Sequence, residues 1–215
     1  MSAVRFQKID EKNRSDHYYI TESDECLFLY EYTSGMGYAH SETNSLISNL
    51  KKKKGAGGYA WKGRAIASCA SALGPAINPK WLADAVLVPV PPSKIKTDPA
   101  YDDRMTEVCR TIRSTVPVDV RELIVQVKST DAVHEGSRLR PEEIEANCYI
   151  DESLCGQSAP KYIGIVDDML TAGAHFRAAN NILSKRFPTS RITGLFIARR
   201  IFSNSGEVSL DDLLA

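Results

Sequence analysis

Apolar residues gather in three short runs in the second half of the chain: AVLVPV at 85–90, YIGIV at 162–166 and ITGLFIA at 192–198. Each is strand-length and flanked by polar residues, which predicts strands covered on both faces. Between and around them, apolar positions three and four apart predict helices at 104–114 and 174–187. Strands alternating with helices predict an α/β fold, a parallel sheet with crossover helices on its faces. Residues 123–127 read as a further strand. Residues 129–140, polar and carrying a glycine, read as a loop.

The first half is patterned differently. HYYIT at 17–21 and CLFLYEYT at 26–33 predict two short strands, with the polar ESDE between them as the turn of a β-hairpin. Ser41 predicts the N-cap of a helix that runs into Lys51–Lys54, where cations suit the negative end of the helix dipole. GAGG at 55–58 breaks that helix. Residues 61–73 have helical spacing and meet Gly74 and Pro75 as a stop. The expected layout is an N-terminal extension with a hairpin at 1–40, an α/β domain at 41–202 and a polar tail at 203–215.

Charge and cysteine content narrow the classes. Of 215 residues, 27 are Lys or Arg and 27 are Asp or Glu, so no net charge draws the chain towards nucleic acid or anionic membrane. Nucleic acid is therefore an unexpected partner, although Lys51–Lys54 could form a local docking patch as well as a solvated helix end. No apolar run approaches the ~18 residues of a membrane span, and the polar N-terminus has no stretch of signal-peptide type. The expected location is cytoplasmic. The five cysteines form no CxxC pair, which argues against a zinc ribbon and for buried thiols.

The chemistry concentrates in VDDMLTAGAH, residues 166–175. An apolar strand leads into two adjacent acids, then a loop with a threonine and a glycine, then a helix. Ligands of open α/β sheets sit beyond the carboxyl ends of strands. There Asp167 and Asp168 can accept hydrogen bonds from a ribose diol. Thr171, Ala172, Gly173, Ala174 and His175 open a helix, where unpaired N–H groups favour a phosphate and small residues allow close approach. A receiver domain also places acids after a strand. It carries them on its first strand and needs an aspartate on a later one, where this chain offers Ala198, Arg199 and Arg200.

These residues resemble the 5-phosphoribosyl-1-pyrophosphate signature of type I phosphoribosyltransferases. The VPVP stretch at 88–91 is similar to that of the ComF-type subgroup, and the likeness extends weakly over most of residues 30–200. The subgroup's cysteine-rich N-terminal zinc element is absent. Its RGFNQ-like stretch is replaced by Tyr101-Asp-Asp-Arg-Met, which keeps only Arg104. A role in DNA uptake is therefore not carried over.

The resemblance implies a type I phosphoribosyltransferase-like sheet with a small N-terminal hairpin and helical addition. It implies that Asp167 and Asp168 hold the ribose hydroxyls, directly or through Mg2+ and its water, and that residues 171–175 line the 5-phosphate. Ser93, Lys94, Lys96 and Arg138 would face the pyrophosphate, although a proline turn with solvated lysines and a solvated loop read equally from those residues alone. Where 6-oxopurine transferases carry an aspartate before the loop threonine, this chain has Leu170, which speaks against that purine chemistry.

The implied reaction transfers phosphoribose from 5-phosphoribosyl-1-pyrophosphate to a nitrogen acceptor and releases pyrophosphate, with Mg2+ as cofactor. The alternative is a non-catalytic ribose-phosphate or nucleotide-sensing adaptor in DNA processing, competence or defence. SLDDLLA at 209–215 could then dock a protein partner, or simply fray, and oligomers are compatible with either.

Overall fold

The computed structural model describes residues 4–130, 139–156 and 158–202. Strands β1 (Gln7–Lys8), β2 (Glu25–Ser34), β3 (Ala85–Pro89), β4 (Asp119–Val120), β7 (Tyr162–Leu170) and β8 (Arg191–Phe202) form one sheet in the order β1-β2-β8-β7-β3-β4. All neighbours run parallel except β1, which is antiparallel to β2. Strands β5 (Ile124–Gln126) and β6 (Cys148–Ile150) make a separate antiparallel ribbon. The helices are α1 (Glu42–Leu50), α2 (Trp61–Ala76), α3 (Pro79–Leu82), α4 (Arg104–Thr111), α5 (Pro141–Ala146) and α6 (Ala174–Arg186).

Two apolar layers cover the sheet. On one side Val86, Val88, Ile163, Ile165 and Phe196 pack with Phe176, Leu183 and Phe187 of α6 and its end. On the other, Leu87, Val166, Leu195 and Ile197 pack with Leu50, Cys69, Leu73 and Val108 of α1, α2 and α4. Neighbouring residues of one strand thus enter opposite layers, the period-two alternation of a strand. Gly164 is needed in this packing. A Cβ there would lie 2.9 Å from Leu87 and 3.0 Å from both Leu195 and Trp81.

The α/β expectation holds, with a central sheet that is parallel but for its edge. Ser41 caps α1 as expected, its side chain accepting from the Asn44 N–H at 3.0 Å. Three local expectations are corrected. Residues 17–21 form no strand, so the expected hairpin of 17–21 with 26–33 is not made; the antiparallel partner of β2 is the shorter β1, Gln7–Lys8. Instead β2 lies inside the main sheet beside β8, with Cys26, Phe28 and Leu29 all buried.

The second correction concerns α2, which continues through Pro75 to Ala76. A proline in the last turn removes only one helical hydrogen bond, and Gly74 is there because its Cβ would meet the Arg113 carbonyl at 2.6 Å. The third is that β7 does not stop at Val166. It runs through both acids to Leu170, because β8 continues alongside and pairs Asp167 with Phe196 and Leu170 with Arg199.

Candidate functional site

Strand alternation decides where the two acids go. Asp168 follows Val166 on the face covered by α1, α2 and α4, and it is 4% exposed. A carboxylate there needs cations, and two helix ends supply them. Lys51, at the C-cap of α1, places its Nζ 3.0 Å from one Asp168 oxygen. Arg104, the first residue of α4, places Nε at 2.9 Å and Nη2 at 2.7 Å from the other. A cation in the first turn opposes the helix dipole, so Arg104 depends on its carboxylates. Its Nη1 donates to Asp102 at 2.8 Å, and Asp102 also receives the buried Lys62 at 2.7 Å. A chain of five charges therefore ties β7 to the ends of α1, α2 and α4.

The two acids titrate in opposite directions. Burial pushes the Asp168 carboxyl up, but Lys51 and Arg104 outweigh it and hold it below the usual carboxylate range. Asp167 is half-buried and accepts one hydrogen bond, from the Asp168 N–H at 2.7 Å. Burial and the adjacent Asp168 charge raise its pKa to about 7. Asp167 is thus the carboxyl of the pair with hydrogen-bonding capacity left for a ligand.

The loop after β7 is shaped from behind. Gly173 takes φ +89°, a conformation open to glycine, and caps α6. The carbonyl of Thr171 accepts from His17 Nδ1, and that of Ala172 accepts from the Tyr19 N–H at 2.8 Å. The Gly173 carbonyl accepts the Arg177 N–H at 2.9 Å inside the helix. Among the described residues, the N–H groups of Ala172, Gly173, Ala174 and His175 donate to no backbone or side-chain acceptor. Carbonyls are withdrawn and amides left over, the arrangement of an anion nest at a helix start.

The proline-rich turn after β3 emerges beside this strand, since Pro89 is level with Val166 and the Val90 N–H donates to the Val166 carbonyl at 2.9 Å. Ser93 is exposed, and its carbonyl receives the Thr130 N–H at 2.8 Å and Gln126 Nε2 at 2.9 Å. Ser129 Oγ donates to Asp98 at 2.7 Å and accepts from the Ile95 N–H at 3.2 Å. These bonds stitch the turn to the start of the polar loop. Asp98 lies below the usual range, chiefly through the Ser129 hydrogen bond, with Lys94 nearby. Lys96, exposed, pairs with Glu122. Arg138 lies outside the described residues.

A cavity of about 260 Å³ borders the proline-rich turn and the start of α6. Ser93, Lys128, Ser129, Thr130 and His175 line it, with an apolar wall that includes Ile124 and Ile182. Asp167 and Asp168 do not line it. The structure therefore brings Ser93 and His175 to one cavity, leaves the acids and residues 171–174 outside its lining, and turns Lys96 towards Glu122.

The sequence reading missed Lys51 and Arg104 as the partners of Asp168, and His17 altogether. A lysine run at a helix end and an arginine at a helix start were the available signals, but neither names its carboxylate. Among the described residues no group of three or more His, Cys, Asp or Glu side chains could hold a metal ion, and no helix is long and apolar enough to cross a membrane. The chain matches no protein-family model, and comparison with curated proteins finds no significant relative.

Proposed function

We propose that the chain binds the ribose 5-phosphate portion of 5-phosphoribosyl-1-pyrophosphate and transfers it to a nitrogen acceptor, as type I phosphoribosyltransferases do. The observation that carries this reading is the end of β7. A half-buried acid, Asp167, stands next to a loop, and among the described residues one of its oxygens is free and the loop amides from Ala172 to His175 have no acceptor. A sugar diol and a phosphate a few bonds apart match that pair of features.

In this reading Asp167 accepts from the ribose hydroxyls, and Asp168 positions it by donating its backbone N–H while anchored to Lys51 and Arg104. The amides at 172–175 hold the 5-phosphate. The leaving pyrophosphate would lie towards Ser93 and Lys94, with Lys96 reaching it only after release from Glu122. With Asp168 held by Lys51 and Arg104, Asp167 is the carboxylate of the pair that would hold Mg2+, through water. Mg2+ so bound would neutralise charge on the leaving group. Transfer then depends on holding the sugar and excluding water, with no covalent protein intermediate.

A second reading, a non-catalytic ribose-phosphate sensor, is favoured by one observation. Both oxygens of Asp168 are engaged by Lys51 and Arg104, so one acid of the pair is withdrawn from ligand. The reading places the protein in the cytoplasm.

Calorimetry tests the binding. Ribose 5-phosphate, or 5-phosphoribosyl-1-pyrophosphate with Mg2+, is expected to bind the wild-type chain and to lose at least about tenfold in affinity in Asp167→Asn, a loss of roughly one charge-assisted hydrogen bond. No heat with either ligand overturns the reading. Pyrophosphate release across a panel of nucleobases separates the two versions: turnover supports the transferase, and tight binding without turnover supports the sensor.

A further inference from the structure

We propose that His17 is the positioning residue of the phosphate loop, aiming the Ala172 amide at the ligand through its hold on the Thr171 carbonyl. The proposal deepens the ribose-phosphate reading and rests on it for its ligand.

His17 is fully buried, far in sequence from the loop it touches. It belongs to a segment that folds beneath residues 171–173. The Ile20 N–H turns back to the His17 carbonyl at 2.8 Å, and the Tyr19 N–H reaches the Ala172 carbonyl at 2.8 Å. Arg177 of α6 clasps the segment, donating to the Tyr19 carbonyl at 3.1 and 2.9 Å and pairing with Asp24. Ile20 presses on Gly173 so closely that a Cβ there would lie 2.8 Å from its Cδ1.

Peptide geometry turns these contacts into aim. In a trans peptide the carbonyl and the following N–H point in opposite directions. Tying back the Thr171 carbonyl therefore sends the Ala172 N–H away from His17. Tying back the Ala172 carbonyl does the same for the Gly173 N–H. Two of the amides assigned to the phosphate are oriented by bonds on their far side, one from a side chain and one from the backbone of Tyr19.

The state of the His17 ring is constrained too. The Thr171 atom that Nδ1 meets is the carbonyl oxygen, which can only accept, so Nδ1 must carry the proton. Nε2 is then a lone pair, and it is buried with no hydrogen-bond partner among the described residues. Burial favours the neutral ring. The facing groups are Asp16, which opposes that preference, and Arg199 and Arg200 of β8, which reinforce it. An apolar side chain would fill the same space without an orphaned acceptor. What a histidine adds here is the Nδ1–H, and that hydrogen is spent on the loop.

The test compares two amides of different reach in the full chain. Asparagine places its side-chain N–H close to where Nδ1 stands, whereas glutamine places it near Nε2. Ribose 5-phosphate affinity by calorimetry and residue-resolved amide hydrogen exchange are measured for wild type, His17→Asn, His17→Gln and His17→Ala. Affinity is expected to stay within about twofold in His17→Asn and to fall about tenfold in the other two, the scale of one lost hydrogen bond. Exchange at Tyr19 and Arg177, whose N–H groups donate to the Ala172 and Gly173 carbonyls, is expected to quicken in His17→Gln and His17→Ala but not in His17→Asn, with mid-α6 amides unchanged in all three.

If His17→Ala does not fold, the Asn and Gln variants carry the comparison. Equal affinity and equal exchange at Tyr19 and Arg177 in those two overturn the proposal. If wild type binds no ribose 5-phosphate, the ribose-phosphate reading fails. The exchange pattern then decides by itself whether His17 holds the loop: selective rescue by asparagine supports that hold, and its absence removes it.

Discussion

Replacing Arg104 with methionine isolates the bond that holds Asp168 in place. Methionine keeps much of the aliphatic stem and removes the guanidinium, whose Nε and Nη2 stand 2.9 and 2.7 Å from one carboxylate oxygen. Asp168 is 4% exposed, so the orphaned charge cannot simply turn to water. Removing one partner of a buried ion pair costs about 3–5 kcal/mol. Here Lys51 stays 3.0 Å from the other oxygen, and Lys62 stays on Asp102. The remaining cations bring the expected loss to roughly 2–3 kcal/mol at neutral pH.

Urea unfolding of wild type and Arg104→Met measures this directly. The pH dependence checks its origin. The folded pKa of Asp168 is depressed, so its pairing contributes stability above the unfolded value and loses it as pH falls through the folded value. The gap between the two proteins should therefore close below about pH 4. Asp168→Asn with Arg104→Met completes a double-mutant cycle, in which a coupling of at least about 1 kcal/mol is expected. A loss below about 0.5 kcal/mol at neutral pH, or a gap that persists unchanged into acid, refutes the buried bridge.

Two further outcomes follow from the same electrostatics and burial. Asp167 has a folded pKa raised from 3.8 to about 7, so the folded state is favoured below the unfolded value and loses that advantage as pH rises through about 7. Asp167→Asn should accordingly stabilise the chain at pH 8 by about 1–2 kcal/mol, discounted for partial exposure and for Lys51, and should have no effect near pH 3.5; equal effects at both would contradict the assignment. Burial raises the thiols of Cys69 and Cys109 to about 12 and Cys148 to about 11. A thiol reagent at pH 7.5 should therefore react slowly with native protein and fully on denaturation, and prompt reaction of two or more native thiols would show the core to be open.

The sequence by itself determined the α/β alternation, because buried parallel strands need continuous apolar runs and amphipathic helices need three-four spacing. It also determined the acid pair, the TAGAH loop and the Ser41 cap, since these are contiguous and their geometry is local. Tertiary structure decided the rest. The strand at 25–34 reads as half of a hairpin until its neighbour β8, supplied by residues 191–202, covers its edge.

The strand carrying the acids reads as ending at Val166, yet pairing with β8 carries it on to Leu170. Strand alternation then separates two chemically identical side chains. Asp168 points among helices whose ends bring Lys51 and Arg104, while Asp167 keeps a free oxygen. His17 gives no local signal at all, because its contact with Thr171 spans 154 residues of the chain. Patterns record what a residue does with its neighbours in sequence; the charge partners of Asp168 and the support behind the loop that follows β7 exist only once the chain has closed on itself.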